Sequence, residues 1–343
     1  MVTIAQIGCG YWGPNLLRNF VQNRNCEVKY VYDVDDKRLE YVKQIYPQMN
    51  VTKRFEDILE DSSIEAVVIA TPAKTHFELS MQLIKSGKHI FVEKPLALST
   101  SEVKEIIDLA EDNKRIVMVG HTFMYNSAVE ALKNYINNGD LGDIYYVYSQ
   151  RLNLGKIRDD VNAMWNLAIH DISILLYVLN STPVSVFANG FSYIQDKIED
   201  VVFLTISFKD NSVAHIHTSW LDPHKVRKMT FVGSKKMIVY DDTSDLKIQI
   251  FDKGIDKKSI GDSLGEFDNF GKFQLIHRAG DIYIPKISFT EPLKTESSHF
   301  IDCIMNNQKP LSDAYNGLQV VAILEAAQKS LENRGQETPI ENM

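Results

Sequence analysis

"VTIAQIGCGYWG", residues 2–13, runs from an apolar stretch straight into three glycines spaced Gly8-x-Gly10-x-x-Gly13. Alone, that spacing is a weak signal, and its neighbours decide what it means. Trp12, Leu16, Leu17 and Phe20 follow at helical spacing, so the glycines sit between a strand and a helix. "EVKYVYD" reads as a second strand and ends on Asp33, twenty residues beyond Gly13. Gly8 permits the tight turn, Gly10 admits a pyrophosphate against the backbone, and Gly13 lets helix and strand pack closely. The helix N-terminus then holds the phosphates, and Asp33 accepts hydrogen bonds from the adenosine ribose. A carboxylate there repels a 2′-phosphate, which favours NAD over NADP, with Lys37 and Arg38 close by.

The alternation continues outward. "VDDKRLEYVKQIY" is helix-like, "IEAVVIATP" a strand, "HFELSMQLIKSG" a helix with a glycine stop, and "KHIFVE" a strand. "STSEVKEIIDLAEDN" opens with a capping box, Ser99 and Glu102, and "RIVMVG" closes the series. Strands separated by single helices imply a doubly wound parallel sheet over residues 1–122. In such a sheet ligands bind outside the carboxyl ends of the strands. Thr71-Pro72 and Glu93-Lys94-Pro95 occupy two of those ends. Opposite charges after a buried run are costly unless paired or in use. At the mouth of a site, Lys94 reaches a substrate hydroxyl and Glu93 the nicotinamide ribose.

At 343 residues the chain is long for one core, so a second domain is expected over residues 123–343. The net charge of −8 disfavours nucleic acid or an anionic membrane as the main partner. Three dispersed cysteines without a CxxC, an abrupt glycine-rich start and no long apolar run point to a soluble cytoplasmic protein. After Gly120 a helix is expected in "NSAVEALKNYINNGDLG", with Ser127 and Glu130 as its capping box. Strands follow in "DIYYVYSQRL", "VSVFANGFSY", "DVVFLTISF", "SVAHIHTSW", "RKMTFVG", "KKMIVYD" and "LKIQIFD". Turns at Lys209–Ser212 and Gly233–Lys235 make this a mostly antiparallel sheet within an α+β domain. Leu204, Ile206 and Phe208 form its apolar face; His215, His217 and Ser219 form a mixed face suited to a neighbouring subunit. His215-x-His217 lacks a third ligand nearby, so no metal is expected.

"IAQIGCGYWG", "IATPAKTHFELSMQLIKSGKHIFVEKPLALS", "VGHTFMYNSAVEALKNYINNGDLGDI" and "WNLAIHDISILLYVL" together resemble the Gfo/Idh/MocA oxidoreductases, nearly end to end. These are NAD(P)-dependent enzymes, and the resemblance implies a Rossmann domain followed by an α/β domain whose open sheet builds dimers or tetramers. It implies Lys94 and His170 as the catalytic pair. Cofactor contacts would come from Gly8, Gly10, Tyr11, Trp12, Gly13 and Asp33, then from Thr71, Pro72, His76, Glu93 and Lys94. Substrate contacts would come from Tyr125, Asn126, Arg151, Asn162, Trp165 and Asn166.

Many members carry Asp where this chain has Asn166, and an amide cannot relay a proton. His170 is expected to open a helix, whose N-terminus disfavours the imidazolium while Asp171 favours it. The wording is most similar to members acting at C3 of nucleotide-activated amino sugars such as UDP-N-acetylglucosamine. Lys156, Arg158, Arg278 and Lys286 are candidates for a diphosphate site. Rival readings are a free-sugar or inositol dehydrogenase, an NAD-dependent glycoside hydrolase and a non-catalytic NAD-binding regulator.

Overall fold

The computed structural model describes residues 1–155, 157–259 and 273–341. The first part alternates β1 (Val2–Ile7), α1 (Gly13–Val21), β2 (Cys26–Tyr32), α2 (Asp36–Ile45), β3 (Asn50–Thr52) and α3 (Glu56–Leu59). It continues through β4 (Ala66–Ile69), α4 (His76–Lys85), β5 (His89–Glu93), α5 (Thr100–Asp112) and β6 (Val117–Gly120). All four residues of β4 are buried, as are Ile90, Phe91 and Val92 of β5. Such continuous apolar runs belong to strands covered on both faces, which is the condition of a parallel sheet. The strands pair in parallel in the order β3-β2-β1-β4-β5-β6. The order reverses between β1 and β4, which opens a crevice at their carboxyl ends. Strand β3 was not expected: its three residues carry no buried apolar pattern.

The second part holds α6 (Ser127–Asn137), β7 (Ile144–Leu152), a π turn over Met164–Ala168 and α7 (Ile169–Val178). Then come β8 (Pro183–Phe191), β9 (Val201–Phe208), β10 (Val213–Ser219), β11 (Val226–Gly233), β12 (Met237–Asp241), β13 (Ile248–Ser259) and β14 (Phe273–Tyr283). The chain closes with α8 (Pro292–Asn306), α9 (Ala314–Glu332) and β15 (Thr338–Pro339). These strands form one sheet in the order β14-β13-β12-β11-β7-β10-β9-β8-β15. Every pairing is antiparallel except β7 with β10. Both expected hairpins are present, with Asn211 at φ 66° in the β9–β10 turn. Leu204, Ile206 and Phe208 alternate into the core as expected, and Val202 joins them.

Two local readings are corrected. Asn126, not Ser127, caps α6: its side chain accepts the Ala128 N–H at 2.9 Å. Ser219 is buried, not part of the mixed face, because its hydroxyl turns to accept the Leu221 N–H at 2.9 Å.

The fingerprint glycines differ in what surrounds them. Gly8 sits at φ +95°, and a Cβ on Gly13 would lie 2.5 Å from the Gly8 carbonyl oxygen. A Cβ on Gly10 would meet nothing nearer than Arg38 Nη1 at 3.8 Å. Gly13→Ala should therefore destabilise the protein by about 1–3 kcal/mol through overpacking, while Gly10→Ala leaves stability nearly unchanged. Urea denaturation compares them, and equal midpoints would remove the close-packing account of Gly13.

Candidate active site

A cleft of about 1210 Å³ lies between the carboxyl ends of the parallel strands and the second sheet. The turn after β1 contributes Gly8, Gly10, Tyr11 and Trp12, and Asp33 lines it from the end of β2. Thr71, Pro72, Glu93 and Lys94 follow from β4 and β5. From the other side come Asn126, Arg151, Trp165, Asn166 and His170.

Four anticipated residues do not line this cleft. Gly13 packs behind the turn against Gly8. The ring nitrogens of His76 lie 2.7 Å from the Pro95 carbonyl and 2.9 Å from that of Thr71, so the buried ring braces the two loops. Tyr125 is a packing residue: its buried hydroxyl lies 2.9 Å from Ser312 Oγ and accepts the Ser312 N–H. Asn162 spends its amide on Glu199 and Gln328, at 2.8 and 3.0 Å, and its oxygen on the Trp165 N–H.

The half of the cleft beside α1 suits a dinucleotide. Helix α1 begins without a side-chain cap; Pro14 has no N–H and the Asn15 N–H bonds the Trp12 carbonyl at 3.0 Å, so the Gly13 end of the helix is what faces an anion. Gly10 leaves open space beside it, and Asp33 stands at the ribose end. Asp33 Oδ2 accepts the Cys9 N–H at 2.7 Å and Oδ1 the Asp35 N–H at 3.0 Å, which fixes the carboxylate. Arg38 Nη1 is 3.4 Å from both oxygens and lines the cleft.

The other half brings Glu93, Lys94 and His170 together. Lys94 Nζ donates to the backbone carbonyl of Asn166 at 3.0 Å, so the carbonyl rather than the Asn166 amide orients the ammonium. Burial pulls Lys94 below the usual ammonium range, opposed by Glu93 and assisted by Arg158 and Arg151. Burial pushes Glu93 above the usual carboxylate range, opposed by Lys94. His170 is pushed well below its usual value by burial first, then by Lys94, Arg151 and Arg227. The expected cause, a helix N-terminus, is corrected: the π turn runs into α7, so His170 stands inside a continuous helical stretch. Nor is Asp171 available to it. Arg151 holds Asp171 in a buried fork, at 2.7 Å from Nε and 3.1 Å from Nη2.

Arg158, Lys225, Arg227 and Lys247 line the cleft. Arg158 pairs with Asp160, and Arg227 with Asp242 at 3.2 Å. Arg278 pairs instead with Asp252 and Asp256 on the β13–β14 hairpin, and Lys286 does not line the cleft. Lys156 lies outside the described residues. Sequence reasoning missed Phe123, whose ring has the Arg151 guanidinium carbon 4.5 Å from its centre and the His170 ring at 5.0 Å. It also missed Arg227, Asp242 and Lys247, which are single residues in strands and turns without a motif to mark them. Among the described residues no cluster of three or more metal-ligating side chains occurs.

Residues 2–121 match the family model described as "Oxidoreductase family, NAD-binding Rossmann fold", and residues 129–239 match the "GFO/IDH/MocA C-terminal domain". The chain belongs to the GFO/IDH/MocA family. It is an oxidoreductase, and its cofactor is NAD. An uncharacterised oxidoreductase of Streptococcus pneumoniae is 25% identical over 62% of this chain and 61% of its own length. The myo-inositol 2-dehydrogenase of Thermotoga maritima is 24% identical over 89% of each chain. The UDP-N-acetylglucosamine 3-dehydrogenase of Acidithiobacillus ferrooxidans is 28% identical, but over 49% of this chain and 52% of its own. A solved structure of UDP-N-acetylglucosamine 3-dehydrogenase from that organism shares the fold, with a TM-score of 0.80 at 20% identity over 98% of this chain and 99% of that one.

Within this GFO/IDH/MocA member, Arg38 offsets the Asp33 charge that would face a 2′-phosphate. Arg38→Ala should therefore weaken NADP at least about tenfold relative to NAD. Calorimetry measures both, and an unchanged ratio would place Arg38 outside the ribose pocket.

Proposed function

We propose that the protein oxidises a secondary hydroxyl of a sugar to a ketone, at C3 of a nucleotide-activated amino sugar such as UDP-N-acetylglucosamine. One observation carries this reading: Lys94 and a His170 ringed by cations face the same cleft, whose lining also includes Arg158, Lys225, Arg227 and Lys247. The Acidithiobacillus relative supports the substrate.

In the proposed reaction His170 accepts the hydroxyl proton while Lys94, held by the Asn166 carbonyl, stabilises the developing alkoxide. When bound, NAD supplies the hydride acceptor. Asp33 and the α1 N-terminus bind its adenosine end, and Arg151, locked on Asp171, forms part of the wall behind His170. A second reading, a free-polyol dehydrogenase, has its own support: the inositol dehydrogenase match extends over far more of both chains than the UDP-sugar match. Retention of both Lys94 and His170 in one cleft speaks against the non-catalytic regulator.

The same proposal divides the chain at residues 122 and 123, and takes the protein to be cytoplasmic. No described helix is long and apolar enough to cross a membrane. A homodimer or homotetramer through the outer face of the large sheet is supported by its half-exposed rings, Tyr148 stacked on His215 and Phe203 on His217.

Three outcomes test the reading. Lys94→Ala and His170→Ala should each lower kcat by roughly two to three orders of magnitude with little change in NAD affinity. The double variant should lose much less than the product, since both act on one proton transfer. A fully active Lys94→Ala would leave Lys94 as a packing partner of the Asn166 carbonyl and remove it from the chemistry. Because Lys94 is pulled down to about 8, kcat/KM should fall as pH rises through that value and the ammonium is lost. Finally, UDP-N-acetylglucosamine should turn over far better than N-acetylglucosamine or inositol, because the diphosphate supplies remote binding energy. Equal rates, followed by NADH absorbance, would replace it with the free-polyol reading.

A further inference from the structure

Two guanidinium side chains start from directly opposite positions on the large sheet: Arg227 of β11 is the cross-strand partner of Arg151 of β7. Like charges so placed repel, so each needs an opposite charge. For Arg151 the need is met in full by the fork on Asp171. For Arg227 it is met in part. Nη1 lies 3.2 Å from Asp242 Oδ2, and among the described residues no acceptor takes Nε or Nη2. Asp242 is not free to turn and cover them. Its Oδ1 accepts the Tyr240 hydroxyl at 3.1 Å and the Asn126 amide at 3.3 Å, and its backbone carbonyl accepts Lys247 Nζ at 2.6 Å.

The Phe123 ring ties this guanidinium to the reacting end of the cleft. Its centre lies 5.9 Å from the Arg227 guanidinium carbon and 5.0 Å from the His170 ring. Arg227 and His170 both line the cleft, so an anion on Arg227 is about one sugar unit from a hydroxyl on His170. Lys225 and Lys247 line the cleft as well, in a chain whose net charge is −8. Holding Asp242 needs one N–H, which a lysine would also supply. A fixed fork with donors to spare, facing a cleft, is what recognises an oxyanion.

We propose that Arg227 is a specificity-determining residue: its guanidinium binds an oxyanion carried by the sugar that is oxidised, with Asp242 holding it in place and Lys247 beside it. The oxyanion is the phosphate joined to the sugar in a nucleotide sugar or the carboxylate of a sugar acid. The inference rests on the proposed sugar oxidation at His170 and Lys94, and it is tested by binding as well as by turnover.

Calorimetry on the NAD-loaded enzyme measures UDP and glucuronate as the two probes. Arg227→Gln should weaken the anion that the wild type binds at least about tenfold and leave NAD affinity unchanged. Asp242 keeps its Tyr240 and Asn126 donors in that variant. Should it still fail to fold, Arg227→Lys keeps the charge without the fork and should weaken the same anion by about threefold or more. In turnover, the preference for UDP-N-acetylglucosamine over N-acetylglucosamine, as a ratio of kcat/KM, should fall about tenfold or more in Arg227→Gln. Loss of UDP binding supports the phosphate. Loss of glucuronate binding alone keeps Arg227 as the anchor and overturns the nucleotide-sugar reading instead. A wild type that binds neither probe, or affinities for both that the substitution leaves unchanged, would overturn the proposal.

Discussion

Helix α9 belongs to both hydrophobic cores, and the rest of the molecule is arranged around that fact. Val320, Ile323, Leu324 and Ala327 pack with the large sheet, while Ala314, Leu318 and Val321 pack with the parallel one. A helix apolar on two faces must be covered on both. A Cβ on Gly317 would lie 3.0 Å from the Val119 side chain and 3.2 Å from that of Leu96, so the helix backbone runs directly against β6 and the loop after β5. Ser312, just before it, exchanges bonds of 2.7 Å with the Val119 backbone. Glu325 accepts the N–H and hydroxyl of Thr100 at the start of α5. Helix α7 packs on the same helix. Lys94 follows β5 and His170 sits on α7, so α9 fixes the frame in which the two meet.

Within that frame, charge is placed where water is scarce, and each charge is answered by a neighbour. The Arg151–Asp171 fork, joined by the Ser149 hydroxyl at 3.0 Å, is the clearest case. Breaking such a buried pair typically costs about 3–5 kcal/mol, so the fork is a fixed wall rather than an adjustable ligand. Its consequence reaches His170. With Asp171 committed, the nearby charges acting on His170 are positive, and its Nδ1 is buried without a partner. An imidazolium there meets Lys94, Arg151 and Arg227 and has no carboxylate partner, since Asp171 is held by Arg151. A proton taken from substrate is therefore held weakly and readily passed on.

The sequence carried the parallel half almost completely, because its signals are local. A glycine spacing, an acidic strand end and alternating apolar runs each lie within about twenty residues. The hairpins of the second half were legible for the same reason. What escaped depends on contacts far apart in the chain. The parallel pairing of β7 with β10 follows a long excursion through α7, β8 and β9. Glu296 meets Thr122 across 174 positions, and Tyr125 meets Ser312 across 187. The words around Tyr125 and Asn162 fit a site, yet a distant partner took each side chain into packing. The Cys9 N–H on Asp33, across 24 positions, also went unread.

The substitution at Asn166 becomes intelligible through the backbone. Asn166 lies in the π turn Met164–Ala168, a geometry that displaces each carbonyl's intrahelical partner by one residue. Its carbonyl is the atom that receives Lys94 Nζ. A peptide dipole can orient an ammonium without titrating, whereas a carboxylate at this place would add another negative charge near Glu93 and raise the cost of burial. A side-chain relay is therefore unnecessary for holding Lys94. In the proposed reaction His170 accepts the hydroxyl proton, and the ammonium is anchored on the Asn166 carbonyl. The amide at 166 is then free of acid–base duty, and its backbone, set by the widened turn, does the positioning.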